Sequence, residues 1–162
     1  AIILAEAAVL YEDLEATQSQ SYGPEARGGA TRSDVIIADT QILYPKVIQP
    51  NILVCLTQEA YSKYASIIRP GGLLITDSKY VKPQKKVDAQ QKELPMYRSV
   101  MENIGKPIVF NICMLGALLG LTDILKQESI VKTLESRIPA GFLDMNKEAL
   151  DLGYRLGAGT LE

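Results

Sequence analysis

Leu4, Ala7, Ala8 and Tyr11 fall at i, i+3, i+4 and i+7, the apolar stripe of an amphipathic helix. The polar stretch from Ala16 to Ser19 reads as a strand edge. Short continuous apolar runs follow, Val35-Ile36-Ile37-Ala38 and Ile52-Leu53-Val54-Cys55-Leu56, of the kind a sheet buries on both faces. Thr57 is placed to cap a helix with Glu59 in its first turn. Ala60, Tyr61, Tyr64, Ala65 and Ile68 then keep helical spacing until Arg69-Pro70-Gly71-Gly72 ends it. Leu73-Leu74-Ile75-Thr76 is the next apolar run, so a strand–helix–strand unit is predicted. Tyr97, Val100, Met101 and Ile104 make a further helical stripe, Gly105-Lys106-Pro107 closes it, and Ile108-Val109-Phe110 predicts another strand. The last third is helical: Met114 to Leu125, then Ile130, Val131, Leu134 and Ile138, then Leu150, Gly153, Tyr154 and Gly157. This alternation predicts an α/β fold with a mostly parallel sheet flanked by helices and a helical C-terminal third.

Composition narrows the chemistry. The 162 residues suit one domain, 47% hydrophobic and 22% charged, with a formal net charge of −2, which argues against both disorder and nucleic-acid binding. There is no histidine, so Ser-His-Asp and Cys-His nucleophiles and the usual zinc ligand sets are excluded. Cys55 and Cys113 each lie inside an apolar run and read as buried thiols of a reducing compartment, hence cytoplasmic. The longest apolar segment, Ile108 to Leu125, is interrupted by Asn111 and broken by Asp123, short of the ~20 residues of a membrane span; it reads as a buried strand running into a buried helix. The opening residues have helical spacing and no basic n-region, so a signal peptide is not expected.

Several stretches carry competing readings. From Lys79 to Glu93, five lysines meet two acids and one proline, which reads as a solvated connection, with a phosphate-contacting patch as the lesser alternative. The Pro70-Gly71-Gly72 turn is similar to the turn before a late strand in Rossmann-type methyltransferases. A helix-to-strand turn explains it as well, and no glycine-rich first turn accompanies it. Gly116 and Gly120 form a GxxxG inside an apolar helix, which means close helix packing within the chain or against another subunit; core packing is favoured. Asn111, an amide in the predicted buried strand, must find partners or cost about 1–3 kcal/mol. The stretch Gln20 to Asp34, QSYGPEARGGATRSD, is the richest. As structure it is a long turn bent by Gly23-Pro24 and Gly28-Gly29. As a site, Gly28 and Gly29 permit close backbone approach while Arg27 and Arg32 supply forked donors for a phosphate or carboxylate. The residues alone leave these two readings even.

The run Ser19 to Arg32, SQSYGPEARGGATR, resembles the signature loop of the gamma subunit of 2-oxoacid:ferredoxin (acceptor) oxidoreductases, most closely the 2-oxoglutarate branch. The resemblance continues through Ile42-Leu43-Tyr44-Pro45, Gln58-Glu59-Ala60-Tyr61, Arg69 to Ser78 and Asn111 to Gly116, and so spans nearly the whole chain. It implies a Rossmann-like single domain over 1–160, of the gamma type. It also implies a heterotetramer with alpha, beta and ferredoxin-like subunits that decarboxylates a 2-oxoacid such as pyruvate or 2-oxoglutarate, passes electrons to ferredoxin or another acceptor, and delivers the acyl group to coenzyme A. Thiamine diphosphate and iron–sulfur clusters are implied for the partner subunits, and possible coenzyme A contact for this one. The cofactor-binding residues expected here are Ser21, Tyr22, Arg27, Gly28, Gly29 and Arg32, with no catalytic or metal-binding residue. The isolated chain is expected to be inactive and to form a homodimer through exposed apolar surface. The family's Gly-Gly-Gln-Gly turn ahead of the first helix does not occur in this sequence. The alternative is a non-catalytic Rossmann-like binding module that dimerises through the Gly116 helix; a methyltransferase-like domain stands third.

Overall fold

The computed structural model describes residues 1–20, 30–84 and 86–160. Along these the chain forms α1 (Ile2–Tyr11), β1 (Glu15–Gln20), β2 (Ser33–Ala38), β3 (Ile52–Cys55), α2 (Gln58–Tyr64), β4 (Gly72–Asp77), β5 (Ala89–Leu94), α3 (Met96–Asn103), α4 (Phe110–Thr122), α5 (Gln127–Arg137) and α6 (Ala140–Ala158). β1 and β2 pair with each other, and β3, β4 and β5 form a second, parallel sheet in that order. Contacts group the chain into two compact units, one of Ala1–Gln18, Val35–Leu43 and Met96–Glu162, the other of Ser19–Asp34 and Tyr44–Pro95.

The parallel sheet belongs to the second unit. Ile52 lies opposite Leu73 and Cys55 opposite Thr76, while Gly72 lies opposite Ala89 and Asp77 opposite Leu94. The predicted strand–helix–strand unit is present: Cys55, Tyr61, Ala65, Ile68, Leu74 and Val81 make its buried core. The Pro-Gly-Gly turn is structural. Gly71 has φ 74°, which only glycine adopts without strain, and its N–H donates to Asp88 O at 2.9 Å. A Cβ on Gly72 would stand 2.8 Å from both Arg69 O and Asn51 O. The connection predicted from Lys79 to Glu93 holds an unforeseen edge strand, β5, in which Gln90, Gln91, Lys92 and Glu93 are all exposed.

The first unit is helical. α4 and α6 cross with backbones in contact: a Cβ on Gly116 would overlap the Leu150 carbonyl oxygen, and one on Gly120 that of Tyr154. From the other side, a Cβ on Gly153 would overlap Cys113 O and one on Gly157 Ala117 O. Two GxxxG motifs, four residues apart on each helix, thus interlock. The Gly116 helix spends its small face on α6, which removes the dimerisation route that face offered. α1 lies antiparallel to α5 and is clamped at both ends. Lys126, the N-cap of α5, gives it no side-chain cap; Glu12 accepts from Lys126 N–H at 3.0 Å and from the Ser129 hydroxyl, and Glu6 pairs with Arg137. Lys132 Nζ adds a contact 5.5 Å from the Tyr11 ring centre.

One predicted strand is absent. Pro107 opens a 3-10 turn over Pro107–Val109 that runs into α4, so Ile108 is 77% exposed instead of pairing in a sheet. Pro at the first helical position lacks only an N–H that would have no partner there. Asn111 follows suit: it is exposed on the first turn of α4 and carries no burial cost.

Candidate functional site

In parallel α/β sheets ligands collect beyond the carboxyl ends of the strands. In this chain that edge is formed by Thr57 and Gln58 after β3, Asp77 to Lys79 after β4, and Pro95 after β5. Thr57 Oγ1 accepts from Ala60 N–H at 3.2 Å and caps α2 as predicted. Asp77 is fully buried; its Oδ1 accepts from Lys79 N–H at 3.0 Å, and its carbonyl receives the N–H groups of Tyr80 and Val81. Gln58 ties the β3–α2 junction to the lysine-rich connection, its Oε1 accepting from Lys82 N–H at 2.7 Å. Its Nε2 is buried with no acceptor, the one such side-chain atom among the described residues.

The same corner holds the end of the glycine-rich segment. Ala30 is buried, and both of its backbone groups are satisfied by side chains of α2: Glu59 Oε1 accepts from its N–H at 3.2 Å, and the Tyr64 hydroxyl donates to its carbonyl at 3.0 Å. Arg32 follows two residues on. Its Nε donates to Asp34 Oδ1 at 2.7 Å, its Nη2 donates to Val47 O at 2.7 Å, and its guanidinium lies 5.7 Å from the Tyr64 ring centre. The Asp34 hydrogen bond holds the Arg32 guanidinium above its ordinary pKa, against the opposing pull of burial. Lys63 Nζ approaches the same ring to 5.2 Å.

Of the six residues expected to bind a cofactor, Ser21, Tyr22, Arg27, Gly28 and Gly29 lie outside the described residues. Arg32 is described, and its fork is turned inward on Asp34 and Val47, where it braces the chain. The sequence reading did not single out Glu59 and Tyr64 as anchors, nor Gln58 and Asp77. For Gln58, Glu59 and Asp77 the signal was the Gln58-Glu59-Ala60-Tyr61 and Thr76-Asp77-Ser78 stretches that carry the family resemblance; Tyr64 lies outside them, in the helical stripe of α2.

Other features are placed away from this corner. An open cleft lined by Gly71, Lys86, Val87, Asp88, Ala89 and Gln90 lies at the amino end of β5, the opposite edge of the sheet. Both cysteines are buried, as read from the sequence, and burial pushes the Cys55 thiol up to about 11, which keeps it protonated and unreactive. Among the described residues, no three of Asp, Glu, Cys and His gather as a metal site, and no helix is long and apolar enough to cross a membrane.

Comparison with known proteins gives a consistent result. The family described as pyruvate ferredoxin/flavodoxin oxidoreductase matches residues 1–156. The 2-oxoglutarate synthase subunit KorC of Methanocaldococcus jannaschii is 47% identical over 157 residues, covering 96% of this chain and 84% of that protein. Among solved structures, the gamma subunit of a keto/oxoacid ferredoxin oxidoreductase from Geobacter sulfurreducens superimposes with a TM-score of 0.87 at 38% identity, over 98% of this chain and 89% of that one. The same fold recurs in the 2-oxoglutarate:ferredoxin oxidoreductase of Magnetococcus marinus, whose structure holds 2-oxoglutarate, coenzyme A and succinyl-CoA. The TM-score is 0.84 at 21% identity, over 97% of this chain and 28% of that longer one.

Proposed function

The chain belongs to the pyruvate ferredoxin/flavodoxin oxidoreductase family, and from that premise we infer that it is the gamma subunit of a 2-oxoglutarate:ferredoxin oxidoreductase. The observation that carries this reading is the 47% identity to a KorC subunit over 96% of this chain and 84% of that one. The complete enzyme converts a 2-oxoacid and coenzyme A to acyl-CoA and carbon dioxide, and passes the two electrons released to an acceptor. Ferredoxin is the acceptor we propose, with alpha, beta and ferredoxin-like subunits as partners.

The residues present divide the labour. Thiamine diphosphate supplies the electron sink for decarboxylation and iron–sulfur clusters carry the electrons away, and we place both on partner subunits. A cluster generally needs four thiolates, whereas this sequence has two cysteines, both buried. Coenzyme A contact we assign to Ser21, Tyr22, Arg27, Gly28 and Gly29, residue types that suit an anionic oxygen. Arg32 is a positioning residue: Glu59 and Tyr64 hold the backbone groups of Ala30, and two residues on Arg32 ties the chain to Asp34 and Val47.

The test is reconstitution. The isolated chain is expected to reduce no viologen dye with 2-oxoglutarate and coenzyme A, and a co-expressed complex of all subunits to do so. A complex that turns over equally well without this chain would overturn the assignment.

A further inference from the structure

Gln58 Nε2 is the one buried side-chain nitrogen or oxygen among the described residues that has no hydrogen-bond partner. Which end of the amide it is follows from its neighbour: Lys82 N–H donates to Oε1 at 2.7 Å, and a flipped amide would set donor against donor. The side chain is thus held at one end while the other meets no acceptor. Such a donor has lost its hydration and gained nothing in exchange. Gln58 follows the carboxyl end of β3, where a parallel sheet gathers its ligands, between exposed Thr57 and Glu59 and against exposed Lys82, so the covered nitrogen lies just under the surface. The neighbouring carboxylates are engaged: Asp77 Oδ1 accepts from Lys79 N–H and Glu59 Oε1 from Ala30 N–H. The same rim carries the ammonium groups of Lys79 and Lys82, both on exposed residues, and that of Lys82 begins within a side chain's length of the Gln58 amide.

We propose that Gln58 is an anion-binding residue: Nε2 donates to a carboxylate or phosphate oxygen, Lys82 N–H keeps the amide aimed, and the Lys82 ammonium balances the incoming charge. A neutral acceptor would satisfy the nitrogen and leave the two lysines unused, whereas an oxyanion answers both. Because Nε2 is shielded from water, the contact forms at low dielectric, where a charge-assisted hydrogen bond is strongest. This gives the lysine-rich connection a role in which its backbone serves as much as its charge: Lys82 contributes an N–H that orients a neighbour and an ammonium that meets the ligand. The site lies wholly within this chain and needs no companion subunit.

The experiment titrates the chain with inorganic phosphate, 2-oxoglutarate and coenzyme A by calorimetry, and follows the melting temperature of each variant and exchange of the Lys82 amide hydrogen. Wild type should bind at least one of the three. Q58E keeps an oxygen for Lys82 N–H and replaces the unpartnered donor with a second acceptor, so it should retain Lys82 protection and lose at least about tenfold in affinity. K82A, which keeps the backbone N–H, should lose about threefold, and K92A, which removes the same charge from exposed β5, less than about twofold. Binding of phosphate and coenzyme A without 2-oxoglutarate assigns the site to a phosphate group, and binding of 2-oxoglutarate alone to a carboxylate. If Q58E does not fold, Q58M should show the same loss of affinity with faster Lys82 exchange. Equal affinity in wild type and folded Q58E would overturn the proposal, as would equal losses in K82A and K92A, or a wild type that binds none of the three. The reconstitution assay reads the subunit assignment separately, so failure of the one is distinguishable from failure of the other.

Discussion

The α4–α6 crossing and the Ala30 corner are held by opposite means. Between α4 and α6, four glycines bring backbone onto backbone, and no side chain stands between Gly153 and the Cys113 carbonyl or between Gly116 and the Leu150 carbonyl. At the Ala30 corner, three side chains, Glu59, Tyr64 and Arg32, reach out to hold backbone groups through single hydrogen bonds. The first arrangement has no slack, because helix backbones cannot yield by a rotamer change. The second consists of separable contacts each worth about 0.5–1.5 kcal/mol, so it can be tuned one bond at a time without loss of the fold. A binding element gains from adjustable support, and a scaffold gains from having none.

Gly153→Ala should break the comparison most severely. The added methyl group overlaps Cys113 O, neither helix can rotate it away, and the cost is expected to exceed about 3 kcal/mol, the upper range for overpacking. Thermal melts of the isolated chain would read this as a fall of many degrees or as insoluble protein. A melt within a degree or two of wild type would show that the crossing has slack after all.

Smaller losses are expected at the corner. Tyr64→Phe removes the donor to Ala30 O and should cost about 1 kcal/mol, and Arg32→Ala a similar amount, its partly exposed ion pair with Asp34 being discounted for solvent. In the assembled enzyme we expect both variants to need more coenzyme A for half-maximal rate while maximal rate changes less. If coenzyme A dependence stays at the wild-type value, the brace serves folding alone.

The α1–α5 clamp sharpens the contrast through pH. The Ser129 hydroxyl and the Lys126 N–H hold Glu12 below the usual carboxylate range, and Arg137 does the same for Glu6. A carboxylate whose pKa is lowered on folding contributes fully above its unfolded value near 4.3 and loses that contribution as pH falls through the folded value. The melting temperature should therefore fall with acidification below about pH 4, and Glu12→Gln should flatten part of that fall. The glycine crossing is built on uncharged backbone-to-backbone contacts, so its contribution is not expected to follow pH in this range. The smallest effect is expected from Gly141→Ala in the first turn of α6, where a Cβ meets nothing within 4 Å; a gain of at most about 1 kcal/mol from helix propensity would contrast with Gly153→Ala on the same helix.

How much of this was legible from sequence follows from what each element uses to hold itself. β3, α2 and β4 announce themselves because their side chains fill the core at sheet or helix spacing. β5 escaped because its central side chains, Gln90 to Glu93, face water and only Ala89 and Leu94 at its ends are half-buried. Ile108-Val109-Phe110 misled because three apolar residues after Gly-Lys-Pro look alike in a strand and in a helix start, and only the continuity of α4 decides between them. The GxxxG spacing predicted close approach without naming the partner helix. Arg32 was expected to contact a ligand on residue type alone, and its direction was not legible, since its donors reach Asp34 and Val47.

The polar character of β5 bears on how such an enzyme is made. A subunit synthesised apart from its partners spends time alone in a crowded solution, and an apolar strand at a sheet edge would seed strand-to-strand polymers in that interval. With Gln90, Gln91, Lys92 and Glu93 facing water along β5, the edge offers a neighbouring strand a charged, hydrated surface to displace. A second copy of this chain thus gains little by adding a strand there, which keeps the edge from templating polymers.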